Sequence, residues 1–267
     1  MTGPVHLGPT DLLLASVLLL VFGAISVGWR LGLEKLLAIA TLRATVQLGV
    51  LGLVLVPIFA VDRAWPVVLW CCLMVLMAGR ESVARTKHRH PGMLWGAIGS
   101  MAISGGGTAL FATLVVLDVE TWWAPRYLVP LVGMILGNAL SGVSLGLDQA
   151  LSTLKQHRHT VEALLALGAT RREATRDIAR EAIRTGMTPI LNAMSAVGLV
   201  SIPGMMTGQI LGGTEPMQAA RYQLLILFLI AGAVAMGTTL SVGVALRVIV
   251  DEHHRLRLER ITERKKR

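Results

Sequence analysis

Long apolar runs alternate with short polar ones along nearly the whole chain, and one polar stretch is far longer than the rest. A helix crosses the hydrocarbon of a bilayer in about 20 residues at 1.5 Å each. Runs of that order fall near 10–28, 36–60, 65–79, 93–117, 127–149, 187–212 and 222–249, the third being short. They predict an all-α integral membrane protein with about seven transmembrane helices, a single transmembrane domain over 1–267. The exception to the pattern is 151–186, LSTLKQHRHTVEALLALGATRREATRDIAREAIRTG, where a membrane-embedded body has to show a folded surface to water.

Inside that stretch the signals are those of helix ends. Thr160 is placed to cap a short helix over VEALLAL, and Gly168 to stop it in the left-handed conformation. Thr170-Arg171-Arg172-Glu173 reads as a capping box that starts a second helix. Along it Arg172, Arg176, Arg180 and Arg184 form one ridge and Glu173, Asp177 and Glu181 another, so that acid and base pair at i,i+3. Ala174, Ile178 and Ala182 make a narrow apolar ridge. Gly186 is expected to end this helix, with Thr188-Pro189 recapping the chain as it enters the next span.

Composition changes the picture in two ways. With 54% hydrophobic and 15% charged residues and a mean hydropathy of +0.64, the chain lies outside the range of ordinary soluble domains. A net charge of +9 suggests nucleic acid in a soluble protein, but here the distribution excludes that partner. Alternate loops carry two Lys or Arg (Arg30, Lys35), four (Arg80 to Arg89), seven (Lys155 to Arg184) and seven (Arg255 to Arg267), whereas the other set holds only Arg63, Arg126 and Arg221. That bias predicts an N-terminus outside, a C-terminus in the cytoplasm, and a cytoplasmic 151–186 segment and basic tail 250–267. The first run has no Lys or Arg before Asp11 and continues to Trp29, so it is expected to stay as a helix rather than leave as a signal peptide. Loop 79–92, GRESVARTKHRHPG, suits a surface lying against anionic lipid.

Candidate chemistry within the spans is sparse. Arg43 and Gln47 lie four apart on one face of the second span, either as a functional pair or with Arg43 snorkelling to the headgroups. Gly133, Gly137, Gly142 and Gly146 form two small-xxx-small patterns that allow close helix packing, within the subunit or across a homodimer. Asn138 stands beside them, lining a pathway or bonding a neighbouring helix. Pro203-Gly204 breaks the sixth span, a packing device or the half-helix end of a transport site. Met205, Met206, Thr207 and Gln209 follow the break, and Asn192 precedes it. These residues, with Arg43, Gln47 and Asn138, are the candidate substrate pathway. Cys71 and Cys72, adjacent in one span, have neither metal-ligand nor disulfide spacing and read as packing residues. The pairs His88/His90, His157/His159 and His253/His254 fall in loops, either solvated or collecting metal. No Asp, Glu or His lies deep in a span, which leaves an intramembrane enzyme without a nucleophile, base or metal centre. No phosphate-binding Gly-x-x-x-x-Gly-Lys-Ser/Thr occurs, so no nucleotide cofactor is expected on this chain and any energy source has to lie in a partner.

Two resemblances supply that partner. Glu162-Ala163, Gly168 six residues after the Glu and Ile178 ten after the Gly resemble the coupling loop of ABC transporter permeases, which sits in a groove of a separate ATPase subunit. More specifically, MTPILNAMSAVGLVSIPGMMTGQILGG with EPMQAARYQLLILF resembles the iron-export ABC permease family, the FetB family, which has plant relatives linked to aluminium tolerance. LRATVQLGVLGLVL, VPLVGMILGN and VEALLALGAT extend the likeness over most of the chain. The resemblance implies a dimeric, multi-pass permease of the plasma membrane that exports a metal ion, with Glu162, Ala163, Gly168, Ala169, Thr170 and Arg171 as ATPase contacts. Iron comes from the resemblance alone, because hard iron prefers oxygen and nitrogen donors to thioethers. The alternative from the residues themselves is a secondary exporter working without ATP.

Overall fold

A computed structural model describes residues 8–60, 63–251 and 255–263. It divides into two compact units, residues 1–62 with 208–214, and residues 63–207 with 215–267.

The first unit is built on α1 (Pro9–Gly28) and α2 (Glu34–Ala60). Both are apolar on nearly every side, the composition of a helix whose surroundings are lipid or other helices. The Gly8 amide donates to Asp11 Oδ2 at 2.8 Å to start α1. The helix ends with Arg30 in the left-handed region at φ 52°, its amide on the Val27 carbonyl at 3.1 Å and that of Leu31 on Ser26 at 2.9 Å. The buried Ser26 hydroxyl then accepts from the Leu33 amide and donates to Glu34 Oε2, each at 3.1 Å, which stitches the end of α1 to the start of α2. A cleft of about 630 Å³ runs between the two helices, from Ser16 and Leu20 on one to Leu42 and Thr45 on the other.

The second unit comprises α3 (Ala64–Arg85), a run over 93–116, α6 (Pro125–Gln156), α7 (Arg158–Ala166), α8 (Arg171–Ala174), α9 (Arg176–Ala196) and α11 (Pro216–Ile249). In the 93–116 run, α4 (Met93–Met101) and α5 (Gly107–Phe111) alternate with π-helical turns at Ala102–Gly106 and Ala112–Val116. α6 is its axis. Ile135, Ala139, Val143, Leu147 and Leu151, spaced by four, are all 1% exposed or less. A row of that spacing is the ridge helices use to interdigitate, and α11, α9 and α3 pack around it.

Six helices among the described residues are long and apolar enough to cross a membrane: Thr10–Gly28, Glu34–Ala60, Ala64–Arg85, Met93–Val116, Pro125–Gln156 and Pro216–Ile249. The chain is thus an all-α multi-pass membrane protein. The run expected at 187–212 is not one of the six, because it is divided. Helix α9 (Arg176–Ala196) ends well before Pro203, and the eight-residue α10 (Gly204–Leu211) begins after a non-helical loop. Helix α9 also starts much earlier than expected. Gly186 does not terminate it and Thr188-Pro189 does not recap it; both lie in its interior.

Candidate functional site

The polar stretch folds as a corner. After α6, α7 (Arg158–Ala166) has His157 at its N-cap, so Thr160 lies inside the helix instead of capping it. Its C-terminus is a full Schellman motif: Gly168 takes φ 89°, its amide meets the Leu165 carbonyl at 3.1 Å, and that of Ala169 meets Leu164 at 3.0 Å. Two residues later the expected capping box is present. The Thr170 amide and hydroxyl each donate to Glu173 Oε2 at 2.7 Å, and the Glu173 amide donates to Thr170 Oγ1 at 3.4 Å. The bonds from the Thr170 hydroxyl and then its amide hold the Glu173 carboxyl below the usual carboxylate range. A short helix, α8 (Arg171–Ala174), follows, and α9 resumes after Thr175. The corner therefore owes its shape to hydrogen bonds that all close between Leu164 and Glu173, and it exposes Glu162, Ala163, Leu164 and Leu167, the last at 85%. Glu162 lies 3.8 Å from His159 Nδ1, Ala169 is half-buried, and Arg171 donates to the Val250 carbonyl at 3.3 Å.

Helix α9 seats differently. Ala174, Ile178 and Ala182 form the expected apolar ridge, and Gly186 and Ile190 extend it, all buried. A Cβ on Gly186 would lie 2.6 Å from the Gly142 carbonyl oxygen and 2.6 Å from Thr238 Cγ2. One on Gly142 would lie 2.6 Å from Val234 Cγ1, and one on Gly146 2.6 Å from Thr238 Cγ2. Of the two small-residue patterns, the Gly142/Gly146 one thus serves packing inside the subunit, where α6, α9 and α11 meet; Gly137 is exposed with open space beside it. The expected i,i+3 ion pairs do not form: no carboxylate lies within 4 Å of Arg172, Arg176, Arg180 or Arg184 among the described residues. Glu173 is occupied by its cap, and Glu181 accepts from Gln149 Nε2 at 3.2 Å.

The segments expected to share one side of the membrane meet at one end of this unit. β1 (His88–Arg89) pairs antiparallel with β2 (Thr262–Glu263). The Lys87 amide donates to Asp148 Oδ1 at 2.8 Å, and His88 lies 3.6 Å from Asp148 and 3.9 Å from Glu263. Lys155 pairs with Glu263 and, ahead of His88, is the main reason its carboxyl is held below the usual range. Arg260 donates to the Val248 carbonyl at 2.7 Å. His90 is buried, its Nδ1 2.8 Å from the Pro91 carbonyl oxygen; burial pushes it below the usual histidine value, partly opposed by that bond. His157 and His159 are exposed, and His253/His254 lie outside the described residues. No group of three or more His, Cys, Asp or Glu among the described residues is arranged to hold a metal ion.

The pathway candidates are dispersed. In the first unit Arg43 and Gln47 are exposed on one face of α2, while Gln209 is half-buried with its Oε1 enclosed and unbonded. In the second, Asn138 is exposed but returns its amide to the Met134 carbonyl of its own helix at 2.8 Å. Asn192 is exposed on α9, Met205 and Met206 are half-buried, and Thr207 donates to the Pro203 carbonyl at 3.2 Å. Pro203 is the last residue of the break and Gly204 the first of α10, but the break begins earlier. The loop opens at Val197 and closes on itself, with Gly198 at φ 86° and its amide on the Ser201 carbonyl at 2.9 Å. Pro203 stands just before α10, where its missing amide costs nothing. Cys71 and Cys72 line an apolar cleft of about 440 Å³ together with residues of α3, the first π-helical turn and α6.

Four features go unread in the sequence. Leu167 as the exposed tip follows from the Gly168 stop, a signal that was present. Gly186 shares the four-residue register of Ile178 and Ala182, but that register does not tell a contact from a helix end. The π-helical turns and the two-residue β pairing have no periodicity to announce them.

No solved structure matches the chain. Residues 9–250 match the model of the Uncharacterised protein family (UPF0014). A UPF0014 membrane protein of Synechocystis is 37% identical over 218 residues, covering 80% of this chain and 83% of its own. Protein ALUMINUM SENSITIVE 3 of Arabidopsis thaliana is 32% identical, with coverage of 85% and 82%. The probable iron export permease protein FetB of Escherichia coli is 30% identical over 246 residues, with coverage of 92% and 93%. The chain belongs to the UPF0014 family of membrane proteins.

Proposed function

We propose that the chain is the membrane-spanning subunit of an ABC-type exporter of the plasma membrane, acting as a homodimer with a separate ATPase subunit. One observation carries this reading. A corner fixed by a Schellman motif and a capping box presents Leu164, Leu167 and Glu162 outward at the root of α9. Such a corner is a docking surface whose shape does not depend on its partner. ATP-driven closure of the ATPase pair pushes the corner, and α9 carries the displacement into the membrane. The basic loops support a cytoplasmic corner and tail. A metal ion as cargo, and iron in particular, is supported by the likeness to FetB. The test is co-purification with candidate ATPase subunits, followed by ATP-dependent metal efflux from cells. Leu167→Asp is expected to abolish association while the folded permease persists, and undiminished efflux in that variant rules the docking surface out.

A further inference from the structure

Along α8 and α9 the buried positions recur every four residues: Ala174, Ile178, Ala182, Gly186 and Ile190. Two residues ahead of each, about 200° round a helix of 3.6 residues per turn, stand Arg172, Arg176, Arg180, Arg184 and Thr188, and Asn192 continues the row. All six are exposed. Because both rows step by four, they stay opposed as they wind, and the polar row points away from the subunit's own core throughout. From Arg176 to Asn192 it spans about 24 Å of helix axis. The headgroup layer of one leaflet is only about 5–7 Å deep, so headgroups cannot serve the whole row. Hydrocarbon is no place for it either, since polar groups at depth face protein or water.

The charge on this face is one-sided. None of the four arginines has a side-chain hydrogen bond or ion pair among the described residues, whereas two of the three neighbouring acids, Glu173 and Glu181, are bonded within the chain. Asp177 is the remaining acid. Guanidinium groups present planar forks that fit carboxylate and phosphate oxygens.

Resting on the permease reading above, we propose that this row lines a water-filled vestibule opening at the corner end of α9. The vestibule recruits its solute as an anion, either a polycarboxylate or phosphate-bearing species or a metal ion carried inside such a complex, and not as a bare cation.

The test uses the full chain with Cys71→Ser and Cys72→Ser, reconstituted in phosphatidylcholine vesicles and carrying Thr188→Cys or Asn192→Cys. Each thiol is reacted with the anionic sulfonatoethyl methanethiosulfonate and with its cationic trimethylammonium analogue. Both sites are expected to react, the anionic reagent at least about tenfold faster relative to a free thiol, as a focused field of one sign provides. Arg180→Gln with Arg184→Gln should bring the ratio close to that of a free thiol, the corresponding lysine pair should preserve it, and added citrate or inorganic phosphate should slow labelling. Absence of reaction with either reagent, equal rates or a cation preference each overturns the proposal. Phosphatidylglycerol added to the vesicles separates the two sources of anion: a preserved preference assigns the row to solute, and a lost one assigns it to lipid headgroups and overturns the vestibule. Labelling needs no ATPase or nucleotide, so its failure leaves the docking corner standing, and failure of docking leaves the labelling result unchanged.

Discussion

The corner and the helix that follows it adjoin in sequence but are held by opposite means. The corner has few buried side chains, Val161, Ala174 and Thr175 among them, and is shaped by backbone hydrogen bonds that close within a few residues. Helix α9 makes its fixed contacts by omitting side chains, with Gly186 and Gly142 backbone to backbone. A region of the first kind tolerates changes of volume but not of backbone conformation. A region of the second kind does not tolerate added volume.

The largest effect is expected at Gly186. Its added methyl group would meet a backbone carbonyl, which cannot rotate aside, so Gly186→Ala should cost about 2–3 kcal/mol. Thermal unfolding in detergent, followed by tryptophan fluorescence, reads this as a fall of several degrees. Gly146→Ala should cost less, because the close atom there belongs to the Thr238 side chain. A Gly186→Ala protein as stable as its parent would break the comparison.

Next is Gly168, where a Cβ would meet nothing within 4 Å and the penalty is purely conformational at φ 89°. Gly168→Ala should cost about 1–2 kcal/mol locally. Hydrogen exchange at the Gly168 and Ala169 amides should accelerate while the unfolding temperature barely moves. Gly168→Asn should lose less, since Asn enters the left-handed region more readily.

Thr170→Ala removes the capping box, a local loss of about 0.5–2 kcal/mol. Its pH dependence sharpens the point. With the Glu173 carboxyl depressed in the folded corner, the stabilisation is complete above the ordinary value of 4.5 and is lost as pH falls through the depressed value. Exchange of the α8 amides should therefore rise on acidification below that point in the parent and rise less in Thr170→Ala, which keeps only the backbone amide bond to Glu173. The smallest effect is expected at Gly137, part of the same glycine-rich string as Gly142 but facing open space. Gly137→Ala should change stability by no more than about 0.5 kcal/mol beyond the helix-propensity gain of alanine.

The same division explains what could be read from the sequence. The Schellman glycine, the capping box and the Ala174–Ile178–Ala182 ridge are encoded within a few residues and were legible. So were the six apolar runs, through length and hydropathy. The role of Gly186 was not, because a glycine that ends a helix and one that admits a neighbouring backbone are the same letter, and only the position of α6 tells them apart. Pro189 misled for a related reason: inside a helix it removes one hydrogen bond, a loss that packing on both sides of it at Gly186 and Ile190 can outweigh. The break was anticipated at Pro203-Gly204 but forms around Gly198, whose left-handed backbone redirects the chain five residues earlier. The arginine ridge was visible as a period, yet its lack of partners depended on where Glu173 and Glu181 find theirs.

The backbone contact between Gly186 and Gly142 also has a mechanical side. A helix held at its midpoint by a backbone contact, with only the short Thr238 side chain beside it, has a fulcrum that deforms little. Little of a displacement applied at its Thr175 end is absorbed along its length. The motion is delivered to the first compliant joint beyond Ala196, the loop 197–203, whose Leu199 and Val200 are 93% and 85% exposed.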